Sequence, residues 1–255
     1  MNKKTISAVI IAKNEEKNID DCLKSVTWCD EIVVVDTDST DKTVKIAEKF
    51  TNTIYKTKGG NYSDWRNLGL EKAKTDWIIY IDCDERCSDK LKNEILEVIN
   101  SETKYSLFVI PRQNIILGRL MKHGGWWPDY VKRLYKKNHL KKWTGDLHEE
   151  PIYLGKLGYL ENPLIHLKHN NLTDMLEKTN TWSAVEAQLM FKANHPKMNT
   201  VRFITAMSRE LWKRLFVEKG YLDGQEGIIY SIYQMYSKSI SYAKLWEMQE
   251  NKLKI

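Results

Sequence analysis

No apolar run in the sequence approaches the ~18–20 residues that a bilayer-spanning helix needs, so a spanning helix is excluded. The opening residues lead directly into a short strand pattern, not into the long apolar segment of a secretory signal. Cysteine is scarce: the 4 present are Cys22, Cys29, Cys83 and Cys87, and no two form a Cys-x-x-Cys pair. That argues against a zinc site and fits a cytoplasmic protein with reduced thiols. No Gly-x-Gly-x-x-Gly follows the first strand pattern, and Gly-Lys is nowhere followed by Ser or Thr. A dinucleotide fingerprint and a phosphate-binding P-loop are thereby removed from consideration. Internal repeats and low-complexity segments are missing as well, which excludes a solenoid.

What is there fills 255 residues, enough for one large domain or a domain with an appendage. A net charge of +6 suits a phosphate-bearing ligand, an anionic membrane surface or nucleic acid, and does not choose among them. Aromatic side chains with polar tips are abundant, 9 Trp and 13 Tyr, a composition that favours sugar faces, interfaces and membrane boundaries.

Strand and helix patterns alternate from residue 5 to residue 100. Ile6–Ala12, Glu31–Asp36 and Trp77–Ile81 are near-continuous apolar runs, the signature of strands buried on both faces of a parallel sheet. Thr53–Tyr55 reads as a short strand, and helices follow Lys13, Thr37, Asp64 and Ser88. This order predicts an α/β fold with a mostly parallel sheet, helices on both faces and right-handed crossovers. After residue 100 the texture changes to shorter strands of mixed polarity around a Gly-hinged aromatic loop, His123–Asp129. From Leu172 onward the chain reads as helical. Val201, Ile204, Met207, Leu211 and Leu215 form one stripe of a helix from Asn199 to Gly220, with Arg202, Arg209 and Lys213 on another face beside Trp212 and Phe216. A basic face flanked by aromatics suits a helix lying on anionic lipid, and equally a solvated face of a packed helix.

The central feature is the end of the third long run, Asp82-Cys83-Asp84. Strand alternation would send Asp82 and Asp84 to one face and Cys83 to the other. Carboxylates at the carboxyl end of a buried strand stand where open α/β sheets bind ligands. Their hard oxygens suit Mg²⁺ or Mn²⁺, ions that commonly arrive bridging phosphates. The alternative is a pair of solvated loop residues before a helix capped by Ser88.

Taken together, Ser7–Glu16, Glu31–Asp36 with Ser39–Asp41, and Ile79–Arg86 resemble the family 2 glycosyltransferases. Residues from Gly118 through His123–Tyr130, Arg133–Tyr135 and Leu147–Glu149 are similar to a subgroup that includes β-1,4-glucosyltransferases of the lipopolysaccharide inner core. The family often has Gly where this chain has Asp38, and Ala where it has Cys83.

The resemblance implies a GT-A fold over residues 1–170, a nucleotide-sugar-binding half at 1–100 and an acceptor half at 101–170, followed by a helical extension at 171–255. It implies an inverting transfer from a UDP-sugar, with glucose favoured, to a hydroxyl of a glycan or lipid-linked acceptor, the heptose region of a lipid A core being favoured. Donor contacts are expected from Ala12, Asn14, Glu15, Asp36, Arg66, Asp82, Cys83 and Asp84, with Asp36 accepting from the uracil N3–H. Mg²⁺ or Mn²⁺ is expected on Asp84, with Asp82 and His166 as further ligands and His169 competing with His166. Glu149 is expected to be the general base, or Glu150 beside it, since one carboxylate must take the acceptor's proton. Trp126, Trp127, Asp129 and Arg133 are assigned to the acceptor, with the aromatic loop mobile.

The same expectations include peripheral contact with an anionic membrane and no nucleic-acid partner. Two rivals stay open: a transferase acting on a polypeptide or another glycan, and a basic nucleic-acid-binding protein whose binding is salt-sensitive and metal-independent.

Overall fold

The computed structural model describes residues 3–145 and 149–252. Leu147 and His148 of the Leu147–Glu149 pattern lie outside the described residues. In chain order the elements are β1 (Ile6–Ala12), α1 (Ile19–Lys24), β2 (Glu31–Asp36), α2 (Thr43–Ala47), β3 (Ile54–Lys56), α3 (Tyr62–Lys72), β4 (Trp77–Asp82), β5 (Glu85–Cys87) and α4 (Asp89–Asn100). They continue as β6 (Tyr105–Ile116), β7 (Arg119–Leu120), β8 (Asp129–Lys136), β9 (Leu140–Thr144), β10 (Glu150–Tyr153), β11 (Lys156–Tyr159) and β12 (Leu164–His169), then α5 (Leu172–Lys192), α6 (Thr200–Trp212) and α7 (Gly224–Lys252). Two compact units emerge, residues 1–112 with 129–166 and residues 113–128 with 167–255.

The large sheet runs β3-β2-β1-β4-β8-β6-β12-β5. Its first four strands are parallel, and β8 joins β4 antiparallel. Register explains where a ligand site can form. Ala12 stands opposite Asp36, and Ile11 opposite Asp82. The carboxyl ends of β1, β2 and β4 therefore come together at one rim of the sheet.

In the first unit both faces of these strands are covered, which is why their sequences do not alternate between apolar and polar. Ala8, Ile10, Ile79 and Ile81 join Ile19, Leu23, Leu91 and Ile95 in one cluster. Val9, Val33, Ile78 and Tyr80 join Leu107, Tyr135, Leu140 and Trp143 in another. Ser63, Arg66 and Gly69 are the buried residues of α3, spaced three apart on one face. A Cβ at Gly69 would strike the Val9 side chain, so this helix lies as near to β1 as a helix can. Asn61 caps it through the Asp64 amide at 3.0 Å, with Asp64 returning the bond.

In the second unit α7 packs along α5 and α6. Glu210 on α6 joins Arg214 (2.9 Å) and Lys238 (3.0 Å). The predicted helix from Asn199 does not run unbroken to Gly220: α6 passes into a π-helical turn at Lys213–Val217. Nor is the Val201 stripe buried, since Val201 is 69% and Ile204 56% exposed.

Candidate active site

The site begins with the loops leaving β1 and β2. Loop 13–16 is woven onto loop 37–43: the Asn14 amide donates to Ser39 Oγ (2.9 Å), Asn14 Oδ1 accepts from the Thr40 amide (2.8 Å), and the Glu15 amide donates to Thr43 Oγ1 (2.7 Å). Asn14 and Asp38 adopt left-handed backbone, φ 54° and 69°. That conformation accounts for the glycine common in the family at the position of Asp38. Ala12 is buried, and its carbonyl accepts from the Thr37 amide at 2.9 Å. Asp36, at the end of β2, is only 2% exposed. Its Oδ2 accepts from the Ser39 amide at 3.3 Å, while its buried Oδ1 meets no hydrogen-bond partner among the described residues. A buried carboxylate oxygen without a donor is costly unless a ligand supplies one.

At the end of β4 the strand stops at Asp82, and Cys83 and Asp84 form a turn, so alternation does not carry through the motif. The Cys83 thiol is turned into the core, 3.4 Å from the Ile11 carbonyl, and burial pushes it well above its ordinary acidity range. Asp84 faces His166, with Oδ2 3.4 Å from Nε2. His169 packs instead on the rings of Tyr230 and Tyr233. Asp82 goes elsewhere, held by Arg133 and, at 3.5 Å, by Arg66.

These contacts belong to a row of alternating charge. Asp129 accepts from Arg112 at 2.8 Å, and Arg112 lies 3.4 Å from Glu85. Glu85, fully buried, accepts from Arg133 at 2.6 Å. Arg133 holds Asp82, and Arg66 joins Asp82 to Glu149, whose Oε1 is 2.9 Å from Arg66 Nε. Burial pushes the Asp82 carboxyl up, but the charges of Arg133, Arg66 and Arg112 outweigh it and hold the group well below the usual carboxylate range. Burial likewise pulls the Arg133 guanidinium down, and Asp82 and Glu85 more than reverse that. Arg66 is 6% exposed and lies over the rings of Tyr80 and Trp143, 5.3 and 4.8 Å from their centroids.

Arg66, Asp82 and Glu149 are thus brought together. Glu150 is not: its side chain is exposed and paired with Lys132 at 2.5 Å. Arg133 and Asp129 are engaged with Asp82, Glu85 and Arg112. Of the tryptophans, Trp126 packs on Tyr230 and beneath Arg214 and Lys168. Trp127 is 40% exposed beside a cavity of about 260 Å³. The aromatic loop is tied down: Asp223 accepts from the Lys122 and His123 amides, Glu218 O from the Gly124 amide, and Gly124 O from Arg214.

Sequence reasoning missed Glu85, Arg112 and Tyr62. Burial raises the Tyr62 phenol and the nearby Asp82 and Glu149 charges raise it further, which marks that ring as a neighbour of the site. The fold alone reveals Glu85: β5 places it opposite His166.

Among the described residues no group of three or more His, Cys, Asp or Glu side chains converges as a ready metal cage. Asp84 and His166 offer a carboxylate oxygen and an imidazole nitrogen, a donor set that suits Mn²⁺ and Mg²⁺ when phosphate oxygens complete the shell.

The sequence profile described as Glycosyl transferase family 2 matches residues 7–153. A protein of Rickettsia bellii described as an uncharacterized glycosyltransferase is 28% identical across 96% of this chain and 87% of its own length. The lipopolysaccharide core biosynthesis glycosyltransferase LpsC of Rhizobium meliloti is 25% identical, covering 72% of this chain and 71% of its own. Among solved structures, glucosyl-3-phosphoglycerate synthase from Mycobacterium tuberculosis in complex with phosphoglyceric acid superposes with a TM-score of 0.50 at 15% identity, covering 76% of this chain and 81% of that one. At that identity the likeness concerns the fold.

Proposed function

Because the chain belongs to glycosyl transferase family 2 and carries its GT-A α/β architecture, we propose that it is an inverting, metal-dependent enzyme moving a sugar from a UDP-sugar to a hydroxyl acceptor. The observation that carries the reading is the meeting of Glu149 with Asp82 through Arg66 at the sheet rim where Asp36 keeps a buried oxygen without a donor among the described residues. Asp36 Oδ1 is suited to accept from the uracil N3–H. Asp84 and His166 are the residues that would hold Mg²⁺ or Mn²⁺, and such an ion supplies charge neutralisation for a departing diphosphate. Glu149 takes the proton from the acceptor hydroxyl as its oxygen forms the new bond to the anomeric carbon. The bond from that carbon to the diphosphate oxygen breaks with inversion, and the electron pair leaves with UDP.

UDP-glucose is the favoured donor. The favoured acceptor is a hydroxyl of the heptose region of a lipopolysaccharide core, a reading supported by the similarity to LpsC. Membrane contact is supported by α6 and the turn after it. Trp212 is 62% and Phe216 50% exposed, their tilted rings are 4.6 Å apart, and Arg202, Arg209 and Lys213 are exposed along the same stretch as the exposed Val201 and Ile204. No helix among the described residues is long and apolar enough to cross a membrane.

The test is a UDP titration with and without Mn²⁺, followed by a screen of UDP-sugars for metal-dependent hydrolysis. Asp36→Ala is expected to weaken UDP by about 10-fold or more, the worth of a hydrogen bond to a charged group. Equal UDP affinity in wild type and variant would remove Asp36 from the base pocket, and equal affinity with and without Mn²⁺ would remove the metal.

A further inference from the structure

The second unit holds a cavity of about 590 Å³ that none of the roles above uses. Its wall includes Arg119, Lys122 and His123 on one side and Leu222, Asp223 and Glu226 on another. Asp223 is 4% exposed at its side chain, and its carboxylate is fully committed. Oδ2 accepts from the amides of Lys122 (2.9 Å) and His123 (2.7 Å), and Oδ1 lies 2.9 Å from His123 Nδ1. The carboxylate accepts only, so Nδ1 carries a hydrogen, and in the neutral tautomer that this selects the lone pair is on Nε2. Among the described residues Nε2 has no partner, and the side chain remains 34% exposed.

The turn that delivers Asp223 is built for closeness. At Gly227 on α7 an added Cβ would fall on the Gly220 carbonyl, so the turn Gly220–Asp223 rests directly on that helix. The loop opposite is fixed through its backbone, so His123 is oriented and not merely present. Lys122 is exposed, and among the described residues its ammonium meets no carboxylate. Arg119 has only a loose contact with Glu226, at 3.8 Å and half exposed.

We propose that this cavity is a binding site for an anionic sugar, its charged group on Lys122 and Arg119, a neighbouring hydroxyl donating to His123 Nε2, and its C–H face against Leu117, Leu120 and Leu222. Two exposed cations match phosphate or carboxylate, Arg in a bidentate manner. An imidazole held by a buried carboxylate offers one directed acceptor, which a sugar hydroxyl satisfies. The cavity beside Trp127 shares Leu120 and Lys122 with this one, which places an exposed indole face where an adjoining ring can stack.

The experiment is calorimetric titration of the full chain with a hexose 6-phosphate, a hexuronic acid and the neutral hexose. Binding of a charged sugar in about the millimolar range is expected, with the neutral hexose about 10-fold weaker. Whichever charged sugar binds more tightly identifies phosphate or carboxylate as the recognised group. Lys122→Ala, on an exposed chain, and His123→Phe should each weaken the charged sugar about 5- to 10-fold, while UDP affinity stays as in the wild type. His123→Phe disturbs a tie to Asp223, so Lys122→Ala carries the decision if that variant folds poorly. Absence of charged-sugar binding, or equal affinity in Lys122→Ala and wild type, overturns the assignment. UDP is titrated on the same samples: a chain that binds the charged sugar through Lys122 but ignores UDP refutes the transferase reading and leaves the cavity's chemistry standing.

Discussion

Replacing Arg133 by Met removes the cation at the centre of the charged row while keeping most of its volume. Among the described residues Glu85, fully buried, then retains Arg112 at 3.4 Å and the Asp82 amide at 3.1 Å. Asp82 keeps Arg66 at 3.5 Å. Breaking a buried pair from one side costs about 3–5 kcal/mol, because a charge is left in low dielectric. For a chain of this size each kcal/mol lowers the melting temperature by roughly 2–4 °C, so a fall of about 6–20 °C is expected. Asp82 is half exposed and recovers water, so most of the loss comes from Glu85. The companion variant Arg133→Met with Glu85→Gln removes the stranded charge. It should regain on the order of half the loss, a coupling of about 1–3 kcal/mol. Thermal unfolding by circular dichroism of wild type, both single variants and the double variant closes the cycle. A single-variant shift under about 2 °C, or simple additivity in the double variant, would refute the claim that Arg133 is held by and holds Glu85.

Three further outcomes follow from the same contacts. Glu149→Gln should lower turnover about 10²–10⁴-fold, and Glu150→Gln should leave it within a few-fold; a severe loss in Glu150→Gln with turnover intact in Glu149→Gln would reverse the assignment of the base. Folding lowers the pKa of Asp82, so the stability it contributes is fully present above the unfolded value of about 3.9 and drains away as pH falls below it. Melting temperature recorded downward from pH 5 should drop less steeply in Asp82→Asn than in wild type, and identical slopes would count against the arginine clamp. Vesicle flotation should capture the wild-type chain on phosphatidylglycerol membranes and much less on phosphatidylcholine, with Trp212→Ser and Phe216→Ser weakening capture; no preference for the anionic lipid would retire the membrane contact.

The strands under the site were legible because burial on both faces leaves unbroken apolar runs, as in β1, β2 and β4. The second half was harder to read for a physical reason. β6 extends to Ile116, carrying the half-buried Arg112 and the buried Asn114 among polar partners, in a stretch whose sequence looks like a loop. Asp82 and Asp84 announced themselves as a pair, yet their separate partners depend on where β4 stops, which periodicity does not specify. Glu85 escaped notice since an acid following two acids reads as solvated, and only the fold brings Arg112 and Arg133 to it. Glu149 and Glu150 are equivalent as letters; the start of β10 at Glu150 turns one outward to Lys132 and leaves the other with Arg66. For the α6 stripe, helical spacing identifies a coherent face without saying whether another element covers it.

Gly69 and Arg66 share the buried face of α3, one helical turn apart. The missing methyl on the first therefore sets the reach of the second: a helix standing off from Val9 would carry the guanidinium outward with it, loosening its hold on Asp82 and Glu149 alike. A defect in chemistry could thus arise from a residue that no substrate atom ever approaches.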